Sequence, residues 1–511
     1  MRAGPARPST RRLRVPFGRL RNLPLPALVD LASLFAGRVG GLLVTLVFIP
    51  RFDAALGPAV FGAVSVVLSL QAFFLVSDLG LATLISRDTA IARGDPEAMT
   101  AAVWTRRRAE LLLGVVALGL AAPAVLPPAL AAGVIPWSIG AGVEFALIVV
   151  LIAALVAVNI AQLSLNALGR YRESAGIAVA GAVARGGATV VVLGEVPTLA
   201  AFLGTQAALA LVHLAVVRLV LERRSGPVVR RERLLERNAL GDMLRRCVPL
   251  TIYTLAGAAA VNLDKPIISA FVSLEAAGVY FLATTYALVP VALLSGPLNS
   301  YFAPKVAHAL HAGDPAAEER LAAIFQIVLM CAVVAPSLGL ILEMERWLRP
   351  WLGDARDITP IMAVAPVLLA GGALSATGYY ASTYLIAAGD NGYLARLSLI
   401  LGVAVLSSGA LFAWQGRVEA IAWSYFAFYA AGLAGLWGRV AMLKGRRATG
   451  GFLLRTWLLP AIAVAGGYAL GAALTADAYP LALIVPALTG GAAGALVLAA
   501  VVQPFRRRAA S

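Results

Sequence analysis

The chain is short of nearly everything that marks a soluble enzyme. Only 13% of its 511 residues are charged, about half the share found in soluble domains, which excludes a large water-facing surface. It has two cysteines, Cys247 and Cys331, each beside or within an apolar run, and these support no disulfide framework. Of its three histidines, His213, His308 and His311, the last two stand three apart in an expected loop, and the set lacks metal-ligand spacing, so no metal is expected. It contains no G-x-S-x-G, no P-loop and no metal motif, so it reads as a non-enzyme with no cofactor. Acids are outnumbered by bases, 26 to 42, for a net charge of +16. The bases cluster in short loops between apolar runs, which is an orientation signal and excludes nucleic acid as the partner.

What is abundant is hydrophobic sequence: 60% of the residues, with mean hydropathy +0.85. A helix crosses a bilayer with about 20 apolar residues, and open sheet edges cannot face lipid. The chain therefore reads as an all-α polytopic membrane protein with about fourteen transmembrane helices. Six fall near 28–50, 59–81, 109–131, 143–166, 174–193 and 198–220. Six more fall near 247–271, 277–300, 321–343, 359–387, 396–415 and 417–438, and two near 456–474 and 481–502. The expected divisions are a basic arm (1–27), an N-lobe (28–220), a basic connection (221–246), a C-lobe (247–440), an accessory pair of spans (441–502) and a basic tail (503–511). The connection is expected to form an amphipathic surface helix after Pro227. The arm is not expected to be a cleavable signal, because the first apolar run is already span-length. Alternate loops carry 34 Lys and Arg on one side and 5 on the other, which places both termini in the cytoplasm.

The sequence also repeats itself. Phe48 to Gly62, FIPRFDAALGPAVFG, aligns without a gap on Asp264 to Gly278, DKPIISAFVSLEAAG, so that Pro50 meets Pro266 and Gly62 meets Gly278, 216 residues on. Gly94-Asp95-Pro96 recurs as Gly313-Asp314-Pro315, and the turn at Gly169 recurs at Gly389, at offsets of 219 and 220. Three echoes in order argue for two pseudo-symmetric six-helix lobes related by an axis along the membrane normal, plus the two accessory C-terminal helices.

Charges inside apolar spans are costly, roughly 2.5–3.5 kcal/mol each at a helix centre, and usually turn toward a cavity or a partner. Arg38 shares a helical face with Leu34, Gly41 and Thr45. It is either a cavity cation or an arginine snorkelling to the headgroups. Arg185 lies between Gly181 and Gly186-Gly187; it is either a cavity cation or the partner of an acid such as Glu144 or Asp78. Asp264 and Lys265 precede Pro266. Neighbours on a helix do not face each other, so they serve a cavity, or they pair across an irregular turn made by the proline. Asp78 is expected to cap the turn after the second span. The tenth span carries Tyr379, Tyr380 and Thr383 among several hydroxyls, suited to sugar contact or to helix packing.

Four stretches carry a family likeness: LGPAVFGAVSVVLSLQAFFLVSDLGLATLISRDTA (56–90), LDKPIISAFVSLEAAGVYFLATTYAL (263–288), YFAPKVAHALHAGDPAAEERL (301–321) and the Ala-Gly-Asp turn at 388–390. They resemble the polysaccharide transporter branch, the O-antigen and exopolysaccharide repeat-unit flippases, of the multidrug/oligosaccharidyl-lipid/polysaccharide exporter superfamily. The resemblance implies an alternating-access flippase in the bacterial cytoplasmic membrane. Its substrate would be an undecaprenyl-pyrophosphate-linked oligosaccharide, and its partners membrane lipids and polysaccharide polymerase machinery. Arg38, Arg185, Asp264, Lys265, Tyr379, Tyr380 and Thr383 would then line the substrate cavity. The alternatives within the fold are a lipid II flippase and a multidrug or cation antiporter, the latter expected to rely on acids. A membrane enzyme is disfavoured, because the longest loop on the side poor in bases, near 344–358, is too short to hold a catalytic site.

Overall fold

The computed structural model describes residues 25–76, 81–93, 95–121, 142–225, 241, 255, 257–475, 485–486 and 488–497. Every element among them is helical, and ten of the helices are long and apolar enough to cross a membrane. This is a multi-pass, all-α membrane protein. The basic arm, the cap at Asp78, the surface helix after Pro227 and the basic tail lie outside the described residues.

The N-lobe begins with α1 (Leu25–Val76), two helices joined at Gly57, where φ is 73° and ψ 168°; it holds both of the first two expected spans. It continues with α2 (Leu81–Ile91), α3 (Pro96–Ala121), α4 (Val143–Ala167), α5 (Tyr171–Glu195) and α6 (Leu199–Ser225). The C-lobe comprises α7 (Asp264–Phe271), α8 (Leu274–Pro290), α9 (Gly296–His311), α10 (Pro315–Leu329), α11 (Ala335–Leu342), α12 (Met344–Leu352), α13 (Thr359–Ala376), α14 (Tyr379–Ala387), α15 (Asn391–Trp414) and α16 (Val418–Lys444). Single π turns at 291–295 and 330–334 carry α8 into α9 and α10 into α11. The accessory region has α17 (Arg446–Leu453), α18 (Leu459–Thr475) and a short apolar helix, α19 (Leu488–Val497). It rests on the C-lobe, with Tyr468 against Gly339 and Gly494 against Cys331.

The expected third span differs at its start. It was placed from residue 109, but α3 starts at Pro96, because the Asp95 side chain accepts the Glu97 and Ala98 N–H groups at 2.9 and 3.2 Å. An acidic cap with proline in the first turn starts a helix wherever the chain goes next. Arg106 and Arg107 therefore stand on a helix, beside Glu222 of α6 at 3.9 and 3.4 Å, and Arg218 returns to Glu110 at 2.8 Å.

The three sequence echoes build the same local devices in both halves. Asp314 caps α10 through the Ala317 N–H at 2.9 Å, with Pro315 in the first turn, as Asp95 and Pro96 do for α3. Gly169 and Gly389 have φ of 77° and 79°. Each ends its helix with the next residue's N–H bonded five back, Arg170 to Leu165 and Asp390 to Leu385. This left-handed close suits glycine because a Cβ there is strained. The break at Gly57 is matched by Ser273, which is extended and caps α8. Each lobe also ties its last span to the preceding one, Arg224 to Glu173 at 2.9 Å and Arg439 to Asp390 at 2.6 Å.

The two copies of the longest echo meet each other. A Cβ on Gly62 would overlap the Leu274 carbonyl, and one on Gly278 would come within 3.2 Å of the Gly62 Cα. Phe61 and Phe281 pack edge to face with centroids 6.1 Å apart. Equivalent residues touch when they lie beside the axis relating two copies, so α1 and α8 form the seam between the lobes. Residues on both sides of that seam share one hydrophobic core, including Phe61, Val64, Tyr280 and Leu282.

Candidate functional site

The seam is closed at one face. Arg356, in the turn after α12, reaches across to Asp53 of α1 with Nε 3.2 Å from Oδ2, and both side chains are largely buried. Nearby, the Trp351 indole N–H donates to the Leu46 carbonyl at 2.8 Å, and the Tyr286 hydroxyl donates to Leu340 at 2.8 Å. The neighbouring Asp357 carboxyl is held below its usual range by hydrogen bonds from the Thr359 N–H and hydroxyl. Just inside this closure lies a cavity of about 480 Å³ with apolar walls from both lobes, among them Leu43, Val47, Tyr286, Leu293 and Trp351.

The C-lobe candidates satisfy one another. Leu263 breaks the backbone before α7, so Asp264 sits in the first turn, where its carboxylate accepts the Lys265 N–H at 2.9 Å. The Lys265 ammonium folds back to the same carboxylate, 2.9 Å from Oδ1 and 3.0 Å from Oδ2. Pairing of adjacent residues, unusual inside a helix, is possible here because the turn is irregular. A space of about 30 Å³ adjoins the pair, bounded by Thr284, Tyr425 and Tyr429, room for about one water. Tyr380 is likewise engaged. Its hydroxyl donates to the buried Glu318 at 2.5 Å, and Lys444 holds that carboxylate at 2.8 and 2.6 Å. The Thr383 hydroxyl bonds to Asn299 at 3.1 Å, and Tyr379 packs at the edge of the same cluster. The break between α13 and α14 is made good by Gln326, whose amide donates to the Thr377 carbonyl at 3.0 Å.

The N-lobe is different. Arg38 lies in α1, and its side chain is outside the described residues. Arg185 of α5 has a buried Nη1 with no hydrogen-bond partner. Neither Glu144 nor any other carboxylate pairs with it among the described residues, and Asp78 lies outside them. Its place follows from its neighbours. One turn along, Thr189 accepts from Gln206 of α6 at 3.1 Å; one turn back, Gly181 packs against His213 of α6. Arg185 therefore points into the α5–α6 seam between those two layers. His213 is buried, its Nε2 3.2 Å from the Gln162 amide and its Nδ1 unpartnered.

The sequence marks the span charges and offers the Asp264–Lys265 pair as one of two readings, but it does not mark the other ion pairs and polar contacts. Asp53, Glu318, Lys444, His213 and Gln162 carry no motif. Lys444 stands at the end of an apolar run among other bases, and the long sequence separation of Arg356 from Asp53 leaves no local signal.

The model of the polysaccharide biosynthesis protein family matches residues 28–304, more than half of the chain. No curated protein matches it. Among solved structures, the lipid II flippase MurJ in an inward closed conformation aligns with a TM-score of 0.61 at 10% identity, over 95% of this chain and 100% of that one. An inward-facing multidrug resistance MATE family transporter of the MOP superfamily aligns at 0.57 and 16% identity, over 82% and 99%. A MOP superfamily transporter from Pyrococcus furiosus aligns at 0.52 and 14% identity, over 83% and 96%. At such identities these likenesses show the fold. The repeated halves, the seam between them and the family match together place this chain in the polysaccharide biosynthesis protein family, with the fold of MOP superfamily transporters.

Proposed function

We propose that the protein is a flippase that moves a lipid-linked oligosaccharide across the bacterial cytoplasmic membrane by alternating access. Residues 28–220 and 247–440 are its two moving bodies, and both termini are cytoplasmic. The observation that carries this reading is Arg185, a half-buried cation in an apolar span whose buried Nη1 has no partner and which pairs with no carboxylate among the described residues. A pyrophosphate entering the membrane must exchange water for charged hydrogen-bond donors. A guanidinium already inside and unneutralised can supply them, with Arg38 as a second donor on the helix that packs against α5. The 34-to-5 distribution of bases puts the Asp53–Arg356 closure on the outer side. In this reading that closure must break to release the cargo outward. The apolar cavity beneath it suits a hydrocarbon tail that stays in the bilayer while the headgroup passes.

In this reading Asp264, Lys265, Tyr380 and Thr383 hold the C-lobe in shape, and they contact substrate only if their internal bonds open. Polymerase machinery that consumes the flipped unit is the expected partner on the outer side. The test is complementation of a flippase-deficient strain carrying the matching sugar pathway. Arg185→Ala should lose surface polysaccharide while its membrane level is unchanged. Full surface polysaccharide from Arg38→Ala/Arg185→Ala would remove the cationic route.

A further inference from the structure

The hairpin α15–α16 turns at Gly416, where φ is 71°. Its helices touch through small residues: Gly409 against Ile421, Gly432 against Leu401 and Gly435 against Leu397. Beside this contact runs a groove of about 1130 Å³. It exists because Ala404, Ser408, Ala420, Ser424 and Ala427 are too small to fill it. The two serines spend their hydroxyls on their own helices, bonding to Val405 at 3.1 Å and Ile421 at 2.8 Å. The walls therefore suit hydrocarbon. A second space of about 190 Å³ shares Leu401 and Phe428 with the groove and extends it along the same helices.

The end of the groove at the Gly416 turn is charged. Arg417 and Glu419 both line it, both are exposed, and neither forms an ion pair among the described residues. The Arg417 guanidinium stands 6.0 Å from the Phe412 ring centroid, which holds it at the mouth. Trp414 and Trp423, 72% and 58% exposed, flank the same end, as indoles do at a membrane–water interface. One cation and one anion, two residues apart, stand above an apolar slot at headgroup depth.

We propose that this groove is a phospholipid site selective for a zwitterionic headgroup of the phosphoethanolamine type. Arg417 takes the phosphate and Glu419 the ammonium, and one acyl chain lies along the alanine and serine wall. A headgroup carrying only negative charge meets Glu419 unfavourably, so an anionic phospholipid or a polyisoprenyl phosphate binds more weakly. The site is separate from the cationic route through the N-lobe and does not depend on it.

Native mass spectrometry of the purified full chain tests this. Phosphatidylethanolamine, phosphatidylglycerol and undecaprenyl phosphate are offered in equal amounts. The expected result is a retained phosphatidylethanolamine adduct that falls about tenfold in Arg417→Ala/Glu419→Ala, a loss of roughly 1.4 kcal/mol. The charge swap Arg417→Glu/Glu419→Arg should keep most of the adduct, because both charges remain at the mouth. Ala427→Phe should displace the adduct by filling the slot, with the thermal melt confirming that the protein is folded. Equal retention of all three lipids, preference for the polyisoprenyl phosphate, or an adduct indifferent to the charge deletion would each overturn the proposal.

Discussion

In the C-lobe, Lys265 lies against Asp264, both buried, and the half-buried Lys444 lies against the buried Glu318, each pair closed by further hydrogen bonds. In the N-lobe, Arg185 enters the α5–α6 seam beside a glutamine–histidine contact, with no carboxylate to answer it among the described residues. The halves share caps, turns and seam, so the difference lies in the side chains laid over one scaffold. A buried pair that satisfies itself has little to offer a ligand, since breaking it exposes a desolvated charge. An unpaired cation with a buried Nη1 has its field available. In the flippase reading proposed above, the contrast becomes a division of labour between a self-neutralised C-lobe and an N-lobe cation left for an anionic substrate.

The strongest way to break this comparison is Lys265→Ala. It leaves Asp264 buried without a partner, a loss of about 3–5 kcal/mol, and should appear as depleted protein in the membrane. Asp264→Asn/Lys265→Met, which removes both charges, should restore the membrane level. A stable Lys265→Ala protein that fails only in transport would instead put the pair in the substrate route.

Next in size is Gly62→Val. The side chain has nowhere to go but into the Leu274 carbonyl, and overpacking of this kind costs about 1–3 kcal/mol. The lobes should part at the seam, read as a lower melting temperature and weaker cross-linking between cysteines placed at Phe61 and Phe281. An unchanged melt would show that the seam is not closely packed.

Arg185→Ala should cost little stability, because it deletes an uncompensated charge, yet lower transport at least about tenfold, roughly 1.4 kcal/mol of interaction. Arg185→Lys should recover part of the transport, since the charge survives but the planar fork does not. A melt that drops by many degrees with transport intact would make Arg185 structural and erase the contrast between lobes.

The smallest effect is expected at the closure between lobes. Arg356→Gln should shift the balance toward the opened seam by about 1 kcal/mol, the net worth of a typical polar contact. A disulfide between cysteines at Leu46 and Trp351 should then form less readily. The reversal Asp53→Arg/Arg356→Asp should restore it; if neither variant changes the yield, the pair is incidental.

Much of the fold was legible because bilayer physics writes it in one dimension. Span-length apolar runs and the positions of Gly169, Gly389, Asp95 and Asp314 are local signals: ten span-length helices stand among the described residues, the two glycines close helices and the two aspartates cap them. The start of α3 was misplaced because hydropathy marks where a helix enters lipid, whereas Asp95 and Pro96 mark where it begins. The candidate site was legible only in part. Arg185, Asp264 and Lys265 stand out as charges inside apolar runs, but hydropathy cannot tell whether a charge is answered. Glu318 and Lys444 are 126 residues apart and both look like loop residues.

The sequence alone determined that this chain is an all-helical membrane protein with duplicated halves, because apolar length, turn chemistry and repetition are properties of the chain itself. The tertiary structure alone decided which charges are spent and which are left over. Whether Lys444 meets Glu318, Arg356 crosses to Asp53, or Arg185 meets no acid among the described residues depends on which helices pack together and in what register. Those contacts form between residues far apart in sequence, and no local pattern encodes them.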